Sequence, residues 1–277
     1  MSKDSYTRES MRENMLKKVL IRVDYEGVTD INKWILQFKS EQSLNSCFKS
    51  YNKAFHNKAT FDLSNMEEIA ESRSLPISVF ESEPLHRFYD SCFQNREDSV
   101  EMEVTSLFLT FSITCNKYKS LDIYIDYLSE YFTKFMSSDK YIVIKRIGIR
   151  KIGGGEFASL VDVGKVFEEE IFGLNIQSIP KTMINIEHID RFFEKDKGIK
   201  VNFSRRFRTI DDKKEGGVFQ ALLDLDGYVD SEIITQLQIL FPTSFSKTVR
   251  SINDYLFELF KISVTEQYLS NHGEIKN

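Results

Sequence analysis

Cysteine is almost missing from the chain: three residues in 277, Cys47, Cys92 and Cys115, odd in number and never spaced as C-x-x-C. That excludes a disulfide framework and a cysteine-based zinc site, and it fits reduced thiols in a reducing compartment. Proline is as scarce, with 4 residues, and the 12 glycines leave little material for a long flexible linker. No stretch approaches about 18 uninterrupted apolar residues, so no membrane-spanning helix is expected. The opening MSKDSYTRESMRENM is polar and lacks the apolar core of a signal peptide. A cytoplasmic location is expected. An excess of one charge is lacking too: 37 basic and 42 acidic residues, well mixed, give a net −5. Without a basic arm the chain is a poor nonspecific nucleic-acid binder, and only a local basic patch would serve.

Catalytic motifs are absent as well. His56, His86, His188 and His272 are scattered, with no H-x-x-x-H or H-E-x-x-H spacing. There is no G-x-S-x-G elbow and no phosphate loop ending in G-K-[ST]. No metal and no cofactor is expected.

What the chain does have is a core. Hydrophobic residues make up 41% and aromatics 13%, with 23 phenylalanines, a composition that folds. We expect a frayed polar leader over residues 1–14 and one α+β domain over 15–277, with 15–155 and 156–277 as alternative sub-domains. In LKKVLIRVDYEG, Val19, Ile21, Val23 and Tyr25 alternate with polar residues and predict a half-buried strand ended by Gly27. Asp30 caps a helix whose stripe is Ile31, Trp34, Ile35 and Phe38, which makes Trp34 a core anchor. Between 43 and 100 the pattern weakens: ATFDLS and LPISVF are short strands, PLHRFYDSCF a short helix, QNREDSVEME a charged turn. SLFLTFSITCN is then a strand, with Cys115 as a buried thiol at its end. Leu121 to Met136 follows as a helix with an apolar stripe from Leu121 to Phe135.

YIVIKRIGIRKIGGG, from Tyr141 to Gly155, is the most informative stretch. Strict alternation puts Tyr141, Val143, Ile147 and Ile149 on one face and Arg146, Gly148 and Arg150 on the other, before a glycine turn. Beyond it, FASLVDVGKVFEEEIFG predicts a helix interrupted near Gly164. TMINIEHIDRFF, IKVNFSRRFRTI and GVFQALLDLDGYV predict a meander of three strands. A long helix runs from Thr243 to about Leu269. The fold expected is α+β: a mainly antiparallel sheet, in one piece or two sub-sheets, with packed helices and a long C-terminal helix closing over it in a helix-grip-like way. Such a closure would leave a small-molecule cavity between sheet and helix.

Candidate ligand-binding residues are cationic. Arg146 and Arg150 share one strand face, Arg206 and Arg208 another, and adjacency of the two would line a surface suited to phosphate or carboxylate. Lys151, Lys213 and Lys214 add charge nearby. Gly153 and Gly154 invite a phosphate-cradle reading, set against a plain structural turn. Asp224 and Asp226 in LLDLDGYVD are the acid–base candidates; the segment lacks the ligand and glycine positions of a calcium loop.

KRIGIRKI resembles the R-I-G-[IL]-R-[YK]-I-N signature of an uncharacterised, sporadically distributed prokaryotic protein family of about this length. FLTFSITCNKYKSLDIYIDYL, ALLDLDGY and SINDYLFELFKISVT match it in order, and Gly153 stands where the family usually carries Asn. The resemblance implies no agreed activity; the sporadic distribution implies a defence or mobile-element setting. The function expected is a non-enzymatic binding, sensor or adaptor protein that recognises an anionic ligand or a protein partner. An enzyme acting on a phosphate-bearing or nucleotide substrate is one alternative, and a structural or self-associating subunit is the other.

Overall fold

The computed structural model describes residues 3–11, 13, 15–40, 48–61, 77–90, 99–116, 118, 120–172, 185–211, 218–230 and 243–274. Among these residues nine strands form one antiparallel sheet: β1 (Leu16–Glu26), β2 (Phe48–Phe61), β3 (Ile77–Asp90), β4 (Ser99–Val104), β5 (Phe108–Thr114), β6 (Val143–Phe157), β7 (Asn185–Glu194), β8 (Ile199–Asp211) and β9 (Val218–Asp230). Their order across the sheet is β2-β3-β4-β5-β1-β6-β9-β8-β7. The fold is therefore α+β, with one sheet in place of two sub-sheets. The helices are α1 (Ile31–Ser40), α2 (Asp122–Ser138), α3 (Leu160–Val166), α4 (Glu169–Phe172), α5 (Thr243–Ser263) and α6 (Glu266–His272). Among the described residues no helix is long and apolar enough to cross a membrane.

β1 and β6 are the central pair, and each heads the same succession: strand, helical segment, meander, long helix. The first meander has four strands and the second three. A cut at 155/156 falls inside β6, which pairs with β1 on one edge and β9 on the other.

One face of the sheet is covered. Val19, Ile21, Val23 and Tyr25 of β1 and Leu223, Leu225 and Val229 of β9 are buried there, under Trp34, Phe38, Phe132, Phe135, Val249, Ile252 and Leu256 of α1, α2 and α5. Trp34 anchors α1 as expected, with its ring 4.8 Å from Phe135 and 5.4 Å from Tyr131. Among the described residues no helix packs on the opposite face, and most of its residues on β6, β8 and β9 are polar and half-exposed.

Strict alternation fails along β6. A register shift lies between Asp24 and Tyr25, so Tyr25 pairs with Ile144 while Asp24 pairs with Arg146. This β-bulge turns Ile142 and Ile144 inward and leaves Tyr141 and Val143 exposed, the reverse of the alternation expected. Past it Ile147 and Ile149 face the core, and so does Lys151. The glycine run is no turn either: Gly153, Gly154 and Gly155 continue β6, opposite Leu223, Leu222 and Ala221. Gly154 has φ +140°, and a Cβ there would sit 2.1 Å from the Ala221 carbonyl oxygen.

Other expectations change for local reasons. PLHRFYDSCF is strand to Asp90, and Pro84 is tolerated because β4 pairs with β3 only from His86 onward. The charged 99–104 stretch is strand β4, its inward Val100, Met102 and Val104 diluted by carboxylates. The helix after Phe157 breaks at Phe167, which bridges Val264, and not at Gly164. The same bridge ends α5 at Ser263, and Thr265 caps α6. Cys115 lies just past β5 and is half-buried. Cys47, Cys92, Lys213 and Lys214 lie outside the described residues, as do parts of ATFDLS and LPISVF.

The leader is not frayed over its described part. Tyr6 is 3% exposed, Lys3 hydrogen-bonds Glu168 and the Val264 carbonyl (2.6 Å each), and Met11 bridges Gly273.

Candidate functional site

The four candidate arginines do share one surface, the helix-free face of β6, β9 and β8. None is left without an acceptor. Arg150 binds Asp224 through two nitrogens, Nε to Oδ1 at 2.8 Å and NH2 to Oδ2 at 2.5 Å. Arg146 reaches Asp226 at 3.0–3.1 Å, and Asn202 donates to the same carboxylate. Arg206 pairs with Glu187 at 2.6 Å and Arg208 with Gln220 at 2.9 Å. Asp224 and Asp226, the acid–base candidates, are thus the arginines' own partners. Arg150 and Arg206 flank a shallow groove of about 560 Å³ that also holds Arg191, Asn202 and Ser204. Lys200 and Asp230 close one edge of this ladder of alternating charge.

Arg205, beside Arg206 in the sequence, does not share this surface. Its neighbours Phe203 and Phe207 face the core, and it binds Asp190 and the Ile171 carbonyl of α4. The glycines are not a cradle: the Gly154 N–H donates to the Met15 carbonyl at 3.0 Å and Gly153 lies between Leu16 and Leu223. Among the described residues no cluster of three His, Cys, Asp or Glu side chains is placed to hold a metal ion.

The covered face holds a second site. Between β6, β9 and α5 lies a cavity of about 60 Å³, room for a few water molecules or a small molecule. Lys151 from β6 and Asn253 from α5 line it, with Arg8 and Tyr118 nearby and Leu223, Leu225, Leu256 and Phe260 as apolar wall. Lys151 is 8% exposed and Asn253 1%. Both Asn253 amide atoms, Nδ2 and Oδ1, are buried without a hydrogen-bond partner. Each buried polar group in this state costs about 1–3 kcal/mol unless something enters to satisfy it.

The electrostatics follow from position. Burial lowers the Lys151 pKa to about 7, and Arg8 pushes it the same way; Asp254, Cys115 and Asp122 pull weakly against them. Burial holds the Tyr118 hydroxyl well above its ordinary value. Asp122 is pushed up by burial, but the Ser120 hydroxyl and the Arg8 and Arg250 guanidinium groups outweigh that and hold it below the usual range. Arg8 binds Asp254 at 2.9 Å, with Asp122 at 3.7 Å, and with Met11 and Met15 it lines the cavity.

Lys151 was visible in the sequence only as extra charge beside Arg150. Its parity with Ile147 and Ile149 was the available signal, since a lysine in register with inward isoleucines is a buried lysine. Asn253 sits between Ile252 and Leu256 on the apolar side of α5, a similar signal. No family model matches the chain, and no curated protein matches it.

Proposed function

We propose that the protein is a non-enzymatic binding or sensor module for a small anionic molecule, held in the cavity between the sheet and α5. In this reading α5 closes over β6 and β9 in a helix-grip-like arrangement, and Lys151 takes the role first sought among Arg146, Arg150, Arg206 and Arg208. One observation carries it: a carboxamide whose two polar atoms are buried without partners lines the same cavity as the largely buried Lys151 ammonium. The arginines, by contrast, already hold carboxylates or an amide, and an incoming anion would have to displace them. The resemblance of KRIGIRKI supports a prokaryotic, defence-associated setting, with the cytoplasm as the site of action.

The test is a thermal-shift screen of the full chain against nucleotides, phosphorylated metabolites and small organic anions, since a ligand of the native state raises its melting temperature. The expected result is a rise with an anion that disappears in Lys151→Met. A rise retained in that variant, and lost in Arg146→Ala/Arg150→Ala, would move the site to the open face.

A second reading, an adaptor that meets a protein partner or a second copy of itself, has its own support. The helix-free face presents both signs of charge in fixed order and flanks them with exposed Ile189 and Phe193. A concentration-dependent mass reduced by Arg206→Glu would favour it.

A further inference from the structure

The cavity beneath α5 also specifies the chemistry of its occupant, and the following rests on its being the ligand site. Its polar part is small: the Lys151 ammonium, the Asn253 amide, the Arg8 guanidinium and the hydroxyls of Tyr118 and Ser120. Arg8 is already held by Asp254 and Asp122. The charged and titratable groups around Lys151 are Arg8, which repels it, and Asp254, Asp122 and Cys115, which act weakly the other way. The rest of the wall is hydrocarbon: Met15, Leu223, Leu225, Leu256 and Phe260.

Four ligand classes can be weighed against that wall. A cation would be repelled by Lys151 and Arg8. A phosphate monoester brings about two negative charges and several acceptor oxygens, more than one ammonium and one amide N–H satisfy in about 60 Å³. An alcohol would accept from Lys151 but leave a full charge in apolar surroundings. A carboxylate brings one negative charge and two acceptor oxygens, one for the ammonium and one for the amide N–H, and its hydrocarbon part matches the remaining wall.

We infer that the cavity binds a small monocarboxylate, whose oxygens accept from Lys151 Nζ and Asn253 Nδ2 and whose short apolar tail lies among Leu223, Leu225, Leu256 and Phe260. The bound carboxylate favours the protonated amine, so binding takes up a proton wherever free Lys151 is partly neutral.

Calorimetric titration of the full chain with formate and acetate, against formamide and acetamide, tests this between about pH 6 and about pH 9. The carboxylates are expected to bind at least about tenfold more tightly than the neutral probes, since only they pair with a buried charge. Their affinity should stay flat to about pH 7 and then fall about tenfold per pH unit as Lys151 deprotonates. Lys151→Met should abolish binding without lowering the unfolding midpoint. Asn253→Asp should also abolish it, because the new side chain supplies the carboxylate in place. Neutral probes that bind as tightly as the acids, with binding lost on Lys151→Met, would keep the cavity as a ligand site and overturn the monocarboxylate. No heat with any probe, and a Lys151 titration midpoint by NMR that saturating acetate does not raise, would overturn both.

Discussion

Gly148 of β6 stands opposite Tyr228 of β9, and the missing side chain at Gly148 lets Arg146 lie across the Tyr228 ring. The guanidinium carbon is 4.0 Å from the ring centroid, and the side chain continues along the sheet to Asp226. A Cβ at Gly148 would lie 3.0 Å from the Tyr228 Cβ and 3.6 Å from Arg146 Nε. Gly148→Val should therefore displace either the ring or the arginine and destabilise the fold by about 1–3 kcal/mol, as overpacking does. Urea unfolding measures it. A variant as stable as the parent would show that the Arg146–Tyr228 stack contributes nothing.

The Arg150–Asp224 pair has good geometry and poor shelter. Arg150 is about half exposed, so water and salt screen its attraction to Asp224. A double-mutant cycle with Arg150→Ala and Asp224→Ala should give a coupling of about 0.2–1 kcal/mol that shrinks with added salt. A much larger, salt-insensitive coupling would mean that the open face is covered in solution, as the partner-binding reading requires.

Much of the fold was legible because its strongest signals are local. The stripes of α1, α2 and α5 and the alternation of β1, β5, β8 and β9 each follow from one short segment and the period of its apolar residues. The failures have two physical sources. At Lys145 and Lys17 a bulge shifts the register, which no count by twos along one strand can reveal because the extra residue is defined by the partner strand. In β3 and β4, strand was hidden by Pro84 and by glutamates on the open face, where pairing and not composition decides. The site divided in the same way. That Arg146 shares a face with Arg150, and Arg206 with Arg208, was legible, whereas the adjacency of the two pairs and their partners Asp224, Asp226, Glu187 and Gln220 were set by cross-strand neighbours. A cavity between sheet and long helix was expected, but its polar residues escaped because Lys151 and Asn253 are about a hundred residues apart and meet only when α5 packs.

The leader should behave as part of the domain. Tyr6 packs against Gly273, where a Cβ would come within 2.8 Å of its ring, and the Glu274 N–H donates to the Ser10 carbonyl at 2.8 Å. Tyr6→Ala should cost about 2–4 kcal/mol, in the range of large aromatic truncations in a core. In hydrogen exchange the Glu274 and Gly273 amides should be protected in the parent and exchange much faster in the variant. Equal exchange in both would show that Tyr6 does not hold the leader to α6.

Lys151 gives the most distinctive signature, because its stability contribution depends on pH in a direction opposite to that of a paired lysine. Burial first, and Arg8 second, lower its folded pKa to about 7, while an unfolded lysine titrates near about 10.4. Between those values the unfolded chain holds a proton that the folded chain has released, so stability rises with pH across the window, by at most about 1.4 kcal/mol per unit. Below about pH 7 both states are protonated and the whole cost of burying the ammonium is present. Methionine has a similar shape and no charge, so Lys151→Met should be more stable than the parent. Its advantage should be constant below about pH 7 and shrink steadily towards about pH 10. Urea unfolding of both proteins across that range reads the difference directly, and the titrations of Cys115 and the tyrosines cancel because both proteins carry them. A difference that does not change with pH would mean that Lys151 stays charged when folded, held by an acceptor; the cavity would then have no vacant donor to offer a carboxylate.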